Sequence, residues 1–190
     1  MRASGAMVDV IPFHAEPTDI DGLLIVRMKQ VTDERGTIRE LFRLSAFAEA
    51  GAASLGPWLQ VNVTETSQGA IRGLHGEAMT KLVAVVHGEA YGAYVDTRPD
   101  SPSRGKVVTV PLVKGTQVLV PPGVCNGFQS VSPGVSQYLY CFDAEWVPGM
   151  SGVAVNPLDP DLGIVWPIPV DRELVSAKDA GLPSLRDVLG

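Results

Sequence analysis

His75 closes the run Ile71-Arg72-Gly73-Leu74-His75, with Gln60 and Asn62 upstream and Lys81 downstream. A neutral imidazole is a suitable base near pH 7, and a lysine ammonium is a point charge that can stabilise a developing oxyanion. Tyr138 and Tyr140 fall on one face of a strand, because strand side chains repeat every second residue. A phenol, with a reference pKa of about 10, holds a transferable proton at neutral pH. Base, cation and phenol suit one kind of chemistry. A proton on carbon beside a ketone is only weakly acidic, so its removal needs a base and a stabilised enolate. Inversion then needs a proton delivered from the opposite face. Arg35 and Arg72 by themselves read as solvated surface arginines, though a guanidinium fork can also make bidentate contact with a diphosphate.

A metal site is not expected. The histidines are three, His14, His75 and His87, whereas a first-row metal in a small barrel wants two or three imidazoles and a carboxylate at short spacing. His75 has only Glu77 nearby. His14 and His87 read as turn histidines, the latter just before Gly88 at a strand end. The cysteines, Cys125 and Cys141, sit in apolar stretches and read as core thiols. No cofactor is expected.

The elements that must position these groups are short. Glycine (20) and proline (15) are frequent and evenly scattered, the punctuation of many short strands. Between them lie the β-rich runs Lys81–His87, Ala90–Asp96, Lys106–Leu112, Thr116–Val120 and Ser136–Phe142. Helix patterns are few: Leu44–Ala50, with Ser45 as its cap, and a last turn at Leu185–Leu189. The pattern predicts an all-β sandwich, jelly roll or closed barrel. We expect one domain over residues 1–190. Residues 1–32 are expected to supply edge or dimer-exchange strands, and residues 167–190 to pack back over the barrel.

Gly115 to Asn126 reads G-T-Q-V-L-V-P-P-G-V-C-N, a spacing that resembles the second conserved motif of the cupin superfamily. Metal-binding cupins have a histidine where this chain has Asn126. The run from Arg72 to His75 resembles the R-G-L-H motif of the dTDP-4-dehydrorhamnose 3,5-epimerase family, and the likeness covers nearly the whole chain. Asp33-Glu34-Arg35-Gly36 followed by Glu40 is similar to that family's D-x-R-G-x-x-x-E segment. Val95-Asp96-Thr97-Arg98 with Ser101-Pro102-Ser103-Arg104-Gly105 is similar to its V-D-x-R-x-x-S-P-T-x-G strand and turn. Asp159 to Pro167 resembles D-P-x-L-x-I-x-W-P, and Ser176-Ala177-Lys178-Asp179 matches S-x-K-D.

The resemblance implies a double-stranded β-helix, or jelly-roll cupin barrel, with a few short helices. It implies His75 as base, Asp179 as the carboxylate on its other nitrogen, Lys81 near the sugar, and Tyr140 as acid. Tyr140 stands six residues before Trp146-Val147-Pro148, the family's spacing from the catalytic tyrosine to an aromatic-x-Pro. Tyr138 is then expected in the core. Arg35, Glu40, Gln60, Asn62, Arg72, Asn126 and Trp146 become the expected substrate contacts, with Trp146 stacking on the thymine ring.

Two departures stand out. Asn126 replaces the family's frequent histidine and can hydrogen-bond but carries no charge. The stretch Gly76-Glu77-Ala78-Met79-Thr80 is shorter than the Pro-containing loop of many members, which changes the wall beside the base.

The expected reaction is epimerisation of dTDP-4-keto-6-deoxy-D-glucose at C3 and C5 to dTDP-4-keto-L-rhamnose, in the route to L-rhamnose. The alternatives are a single-centre epimerase of a related deoxysugar and a non-catalytic sugar-nucleotide-binding cupin. The net charge of -6 argues against nucleic acid bound through a broad basic face, and no apolar run approaches bilayer length. Met1 to Phe13 lacks the segments of a signal peptide. A cytoplasmic homodimer with strands exchanged, Leu24–Lys29 among them, is the remaining expectation.

Overall fold

The computed structural model describes residues 8–52 and 55–190; residues 1–7 of the expected N-terminal exchange segment lie outside the described residues. Two antiparallel sheets face each other. One has five strands in the order β10 (Val107–Leu112), β9 (Ala90–Asp96), β12 (Val124–Ser130), β7 (Ile71–Glu77) and β14 (Gly152–Ala154). The other has six, in the order β2 (His14–Pro17), β3 (Leu24–Arg27), β11 (Thr116–Val120), β8 (Lys81–His87), β13 (Val135–Phe142) and β6 (Gln60–Ser67). Sequence neighbours repeatedly fall in opposite sheets, which is the winding of the cupin jelly roll. A third sheet, β1 (Asp9–Ile11), β4 (Lys29–Asp33) and β5 (Gly36–Glu40), stands apart.

Strand periodicity explains the core. Val83 and Val85 of β8, Val118 and Val120 of β11, Phe128 of β12 and Tyr138 of β13 turn inward and bury almost completely. Continuous burial along Lys81–Val85 and Val124–Ser130 reflects strands covered on both faces. On the outer side of the six-stranded sheet, Phe47 of α1 (Leu44–Glu49) packs with Phe13, Phe42 and Trp58 over Val26, Leu82 and Leu119.

Two local expectations need correction. The N-cap of α1 is Arg43, with no side-chain cap, and Ser45 lies inside the helix. The expected strand from Lys106 begins at Val107. Leu24–Arg27 pairs with β2 on one side and β11 on the other.

The C-terminal segment lies against the five-stranded sheet. Gln129 Nε2 donates to the Ile168 carbonyl at 3.0 Å, and the Ile168 amide donates back to Gln129 Oε1 at 3.0 Å. Val175 bridges to Ile71, and Leu185 of α3 (Leu185–Leu189) packs with Leu74, Val95 and Leu162. No helix among the described residues is long and apolar enough to cross a membrane.

Candidate active site

A cavity of about 610 Å³ opens between the sheets at the end where β6, β7, β12 and β13 meet the C-terminal segment. Gln60, Asn62, Arg72, His75, Lys81, Asn126, Tyr140, Trp146 and Asp179 all line it.

The Arg-Gly-Leu-His run works through a bulge. Asn126 pairs with His75, but the next pair is Phe128 with Arg72, so β7 carries one more residue than β12 across this interval. In a regular strand, residues three apart point to opposite faces; the extra residue lets both Arg72 and His75 reach the cavity. Gly73 makes the bulge possible. Its φ of +112° lies in glycine territory, and a Cβ there would meet Gly127 Cα at 2.7 Å.

Asp179 comes from the far end of the chain. Ser176 caps α2 (Ala177–Ala180) by accepting from the Asp179 amide at 3.0 Å, which fixes the carboxylate's direction. Asp179 Oδ1 meets His75 Nε2 at 2.8 Å, and Oδ2 accepts from the Gly73 amide at 3.3 Å. A carboxylate is an acceptor, so Nε2 donates and Nδ1 is left as the basic nitrogen.

Tyr140 faces the same cavity from β13. Burial pushes its phenol well above the ordinary range; Arg72 pulls it down, while Glu77 and Asp179 push it further up. It therefore holds its proton at neutral pH. Its ring lies 4.8 Å from that of Tyr138, which is fully buried and stacks on Phe128 at 4.0 Å. The expectation of Tyr138 in the core matches that placement.

Lys81 is no solvated strand end. It is 4% exposed, and its Nζ donates to the His75 carbonyl at 3.0 Å and to Asn126 Oδ1 at 2.7 Å. It also pairs with Glu77. Arg72 Nε donates to Thr66 Oγ1 at 2.9 Å. At the rim, the Trp146 amide donates to Gln60 Oε1 at 2.8 Å, and the indole is half exposed. Cys125 is buried and Cys141 partly buried, both as free thiols.

The arrangement can take a proton with one group and give one with another, with the Lys81 ammonium lining the same cavity. Residues 17–187 match the family of dTDP-4-dehydrorhamnose 3,5-epimerases. The chain belongs to that family. The epimerase is 32% identical to the dTDP-4-dehydrorhamnose 3,5-epimerase of Methanothermobacter thermautotrophicus, over 92% of this chain and 96% of that one. It is 33% identical to the dTDP-4-dehydro-6-deoxyglucose 3-epimerase of Streptomyces bikiniensis, over 89% of this chain and 87% of the relative. A solved structure of a dTDP-6-deoxy-D-glucose-3,5-epimerase from Legionella pneumophila, in complex with dTDP-4-keto-L-rhamnose, superposes with a TM-score of 0.82. It shares 31% identity and covers 92% of this chain and 94% of its own.

Two expected site residues of the epimerase are not in the cavity. Arg35 sits in the β4–β5 turn, 81% exposed, with its guanidinium on Asp33. Glu40 ends β5 and is bound by Arg43. The hairpin belongs to the third sheet, and neither residue lines the cavity of its own chain.

Other cavity residues went unnoticed in the sequence. Thr64 and Thr66 follow Gln60 and Asn62 at every second position of β6, and Phe142 follows Tyr140 on β13. Strand parity was the available signal. Glu77, at the same parity as His75, lines the cavity as well. Glu173 had no such signal, because it stands in a one-turn 3-10 segment.

Proposed function

We propose that the enzyme epimerises dTDP-4-keto-6-deoxy-D-glucose at C3 and C5 to dTDP-4-keto-L-rhamnose, serving L-rhamnose nucleotide-sugar synthesis. The observation that carries this reading is the His75–Asp179 contact at 2.8 Å, on a cavity that the Tyr140 phenol also lines. His75 Nδ1 takes the proton from the carbon beside the ketone, and the electron pair moves to the ketone oxygen. Lys81 balances the charge on that oxygen. The enolate collapses by taking the proton of Tyr140 on the opposite face, which inverts the centre. Solvent then restores the phenol and removes the proton from His75, whose charge Asp179 has balanced meanwhile. Arg72 holds the diphosphate, Gln60, Asn62 and Asn126 contact the sugar and phosphate, and Trp146 stacks on thymine.

The reaction needs no metal in this reading. Asn126, where metal-binding cupins place a histidine ligand, is engaged with Lys81 instead. We also propose a homodimer in the cytoplasm. Val61 and Val63 on β6, an edge of its sheet, and Leu59 just before that strand are exposed, and Ile38 is exposed on the separate hairpin. Pairing two copies would cover these groups and carry Arg35 and Glu40 to the partner's cavity. Light scattering, elemental analysis and cell fractionation check the three statements.

A single-centre 3-epimerase is the second reading, supported by the Streptomyces bikiniensis relative at 33% identity, against 32% for the 3,5-epimerase of Methanothermobacter thermautotrophicus. Turnover in deuterated water, followed by NMR, separates the two. Deuterium at both C3 and C5 is expected; deuterium at C3 alone replaces the leading reading with the second. No deuterium, with nucleotide sugar still bound, would make the chain a binding protein.

A further inference from the structure

Glu77 has no task in the chemistry above. It stands two residues after His75 on β7, so both side chains turn to the cavity. Its carboxylate meets the ammonium of Lys81 through Oε2, an oxygen buried from solvent. Lys81 has three N–H groups. One reaches Asn126 Oδ1, one the His75 carbonyl, and the third faces Glu77.

The lysine side chain is 5% exposed, and an ammonium so buried is costly unless paired. Asn126 and the carbonyl are neutral, so among the described residues Glu77 is the one group in contact that balances the charge. The other ionisable groups around the lysine are occupied. His75 and Asp179 bond each other, Arg72 is held by Thr66, and Asp143 accepts from the Thr80 amide at 2.8 Å. Burial keeps both the Cys125 thiol on β12 and the Tyr140 phenol on β13 protonated.

We propose that Glu77 is the positioning residue of Lys81, keeping the lysine charged and aimed at the ketone oxygen of the sugar nucleotide. The inference rests on the reading of Lys81 as the cation that faces that oxygen.

Glu77→Gln keeps the shape and removes the charge. A buried ammonium stripped of its counter-charge gives up its proton more readily, so the enolate loses its cation as the pH rises. The expected result is a ratio of kcat at pH 6.5 to kcat at pH 9.5 about tenfold above that of the wild type, with the change in kcat and not KM. Adding Asn126→Asp to Glu77→Gln places a carboxylate on the lysine's other acceptor and brings the ratio back. The alkaline loss also persists for solvent-proton exchange in a Tyr140→Phe background, where no phenol can titrate. A uniform loss at all pH values, a loss that vanishes with Tyr140→Phe, or a double variant that behaves like Glu77→Gln each overturns the inference. Should Glu77→Gln fail to fold, the double variant decides alone: a wild-type ratio supports the inference and an alkaline loss overturns it. Lys81→Met separates the two levels. If it retains wild-type kcat, the reading of Lys81 fails; if it is inactive while Glu77→Gln titrates like the wild type, only the role of Glu77 fails.

Discussion

Asp33 and Asp96 are each followed two positions later by an arginine that folds back onto the carboxylate, yet the two regions use the pair differently. At the end of β9, Asp96 is fully buried. Arg98 donates to it through Nε at 2.9 Å and Nη2 at 2.8 Å, Ser101 and Ser103 add hydroxyl bonds, and Arg98 also ties down the Asp21 carbonyl at 2.7 Å. In the β4–β5 turn, Asp33 accepts from the Arg35 amide and guanidinium, but the arginine stands in solvent. One pair locks a loop onto the barrel. The other leaves its guanidinium in solvent, where it can exchange Asp33 for a ligand. Family likeness marks both segments equally; burial tells them apart.

The largest effect that tests this contrast is Asp96→Ala, which strands the half-buried Arg98 and should cost on the order of 3 kcal/mol in chemical denaturation. A loss below about 1 kcal/mol would make the buried pair no different from a surface one. Acid should act at the same place. Burial pushes the Asp96 carboxyl up, but the bonds from Arg98, Ser101 and Ser103 outweigh it and hold the group well below the usual range. A carboxyl depressed in the folded state stabilises the fold above its unfolded pKa of about 4 and loses that contribution as pH falls toward the folded value. Asp96→Asn should therefore flatten the fall in Tm below pH 4, and an unchanged slope would point elsewhere.

Next comes Arg35→Ala. It should raise KM about tenfold through a lost charge-assisted bond, with Tm unmoved; an unchanged KM would leave the hairpin without a part in binding. Smallest is Asp33→Asn, expected to leave both Tm and KM at wild-type values. Arg35 holds the Asp33 carboxyl low through hydrogen bonds, but the group is open to water, where such pairs contribute little. A clear drop in Tm would show the turn to be more than a surface feature.

Much of this was legible in the residues themselves. Period-two runs and glycine punctuation announced an all-β sandwich, jelly roll or closed barrel, and Tyr138 and Tyr140 shared a face as strand parity requires. The joining of His75 to Asp179 was legible only through family likeness, because 104 positions separate them and the carboxylate arrives on a four-residue helix. The bulge at Gly73 was hidden, since it depends on Gly127 lying against it. Arg35 and Glu40 belong to the site by motif, but the fold sets their hairpin in a separate sheet, which the motif does not encode. Lys81 resembled a solvated strand end, and three acceptors from two other strands make it a buried ion.

The central claim is that a base and an acid work on opposite faces of one enolate. Solvent-deuterium exchange and inversion at C3, measured side by side in His75→Ala and Tyr140→Phe, test it most directly. His75→Ala should lose both by about 10³-fold or more, while Tyr140→Phe should keep exchange and lose inversion. Inversion at the wild-type rate without the phenol, or exchange at the wild-type rate without the imidazole, would contradict the account.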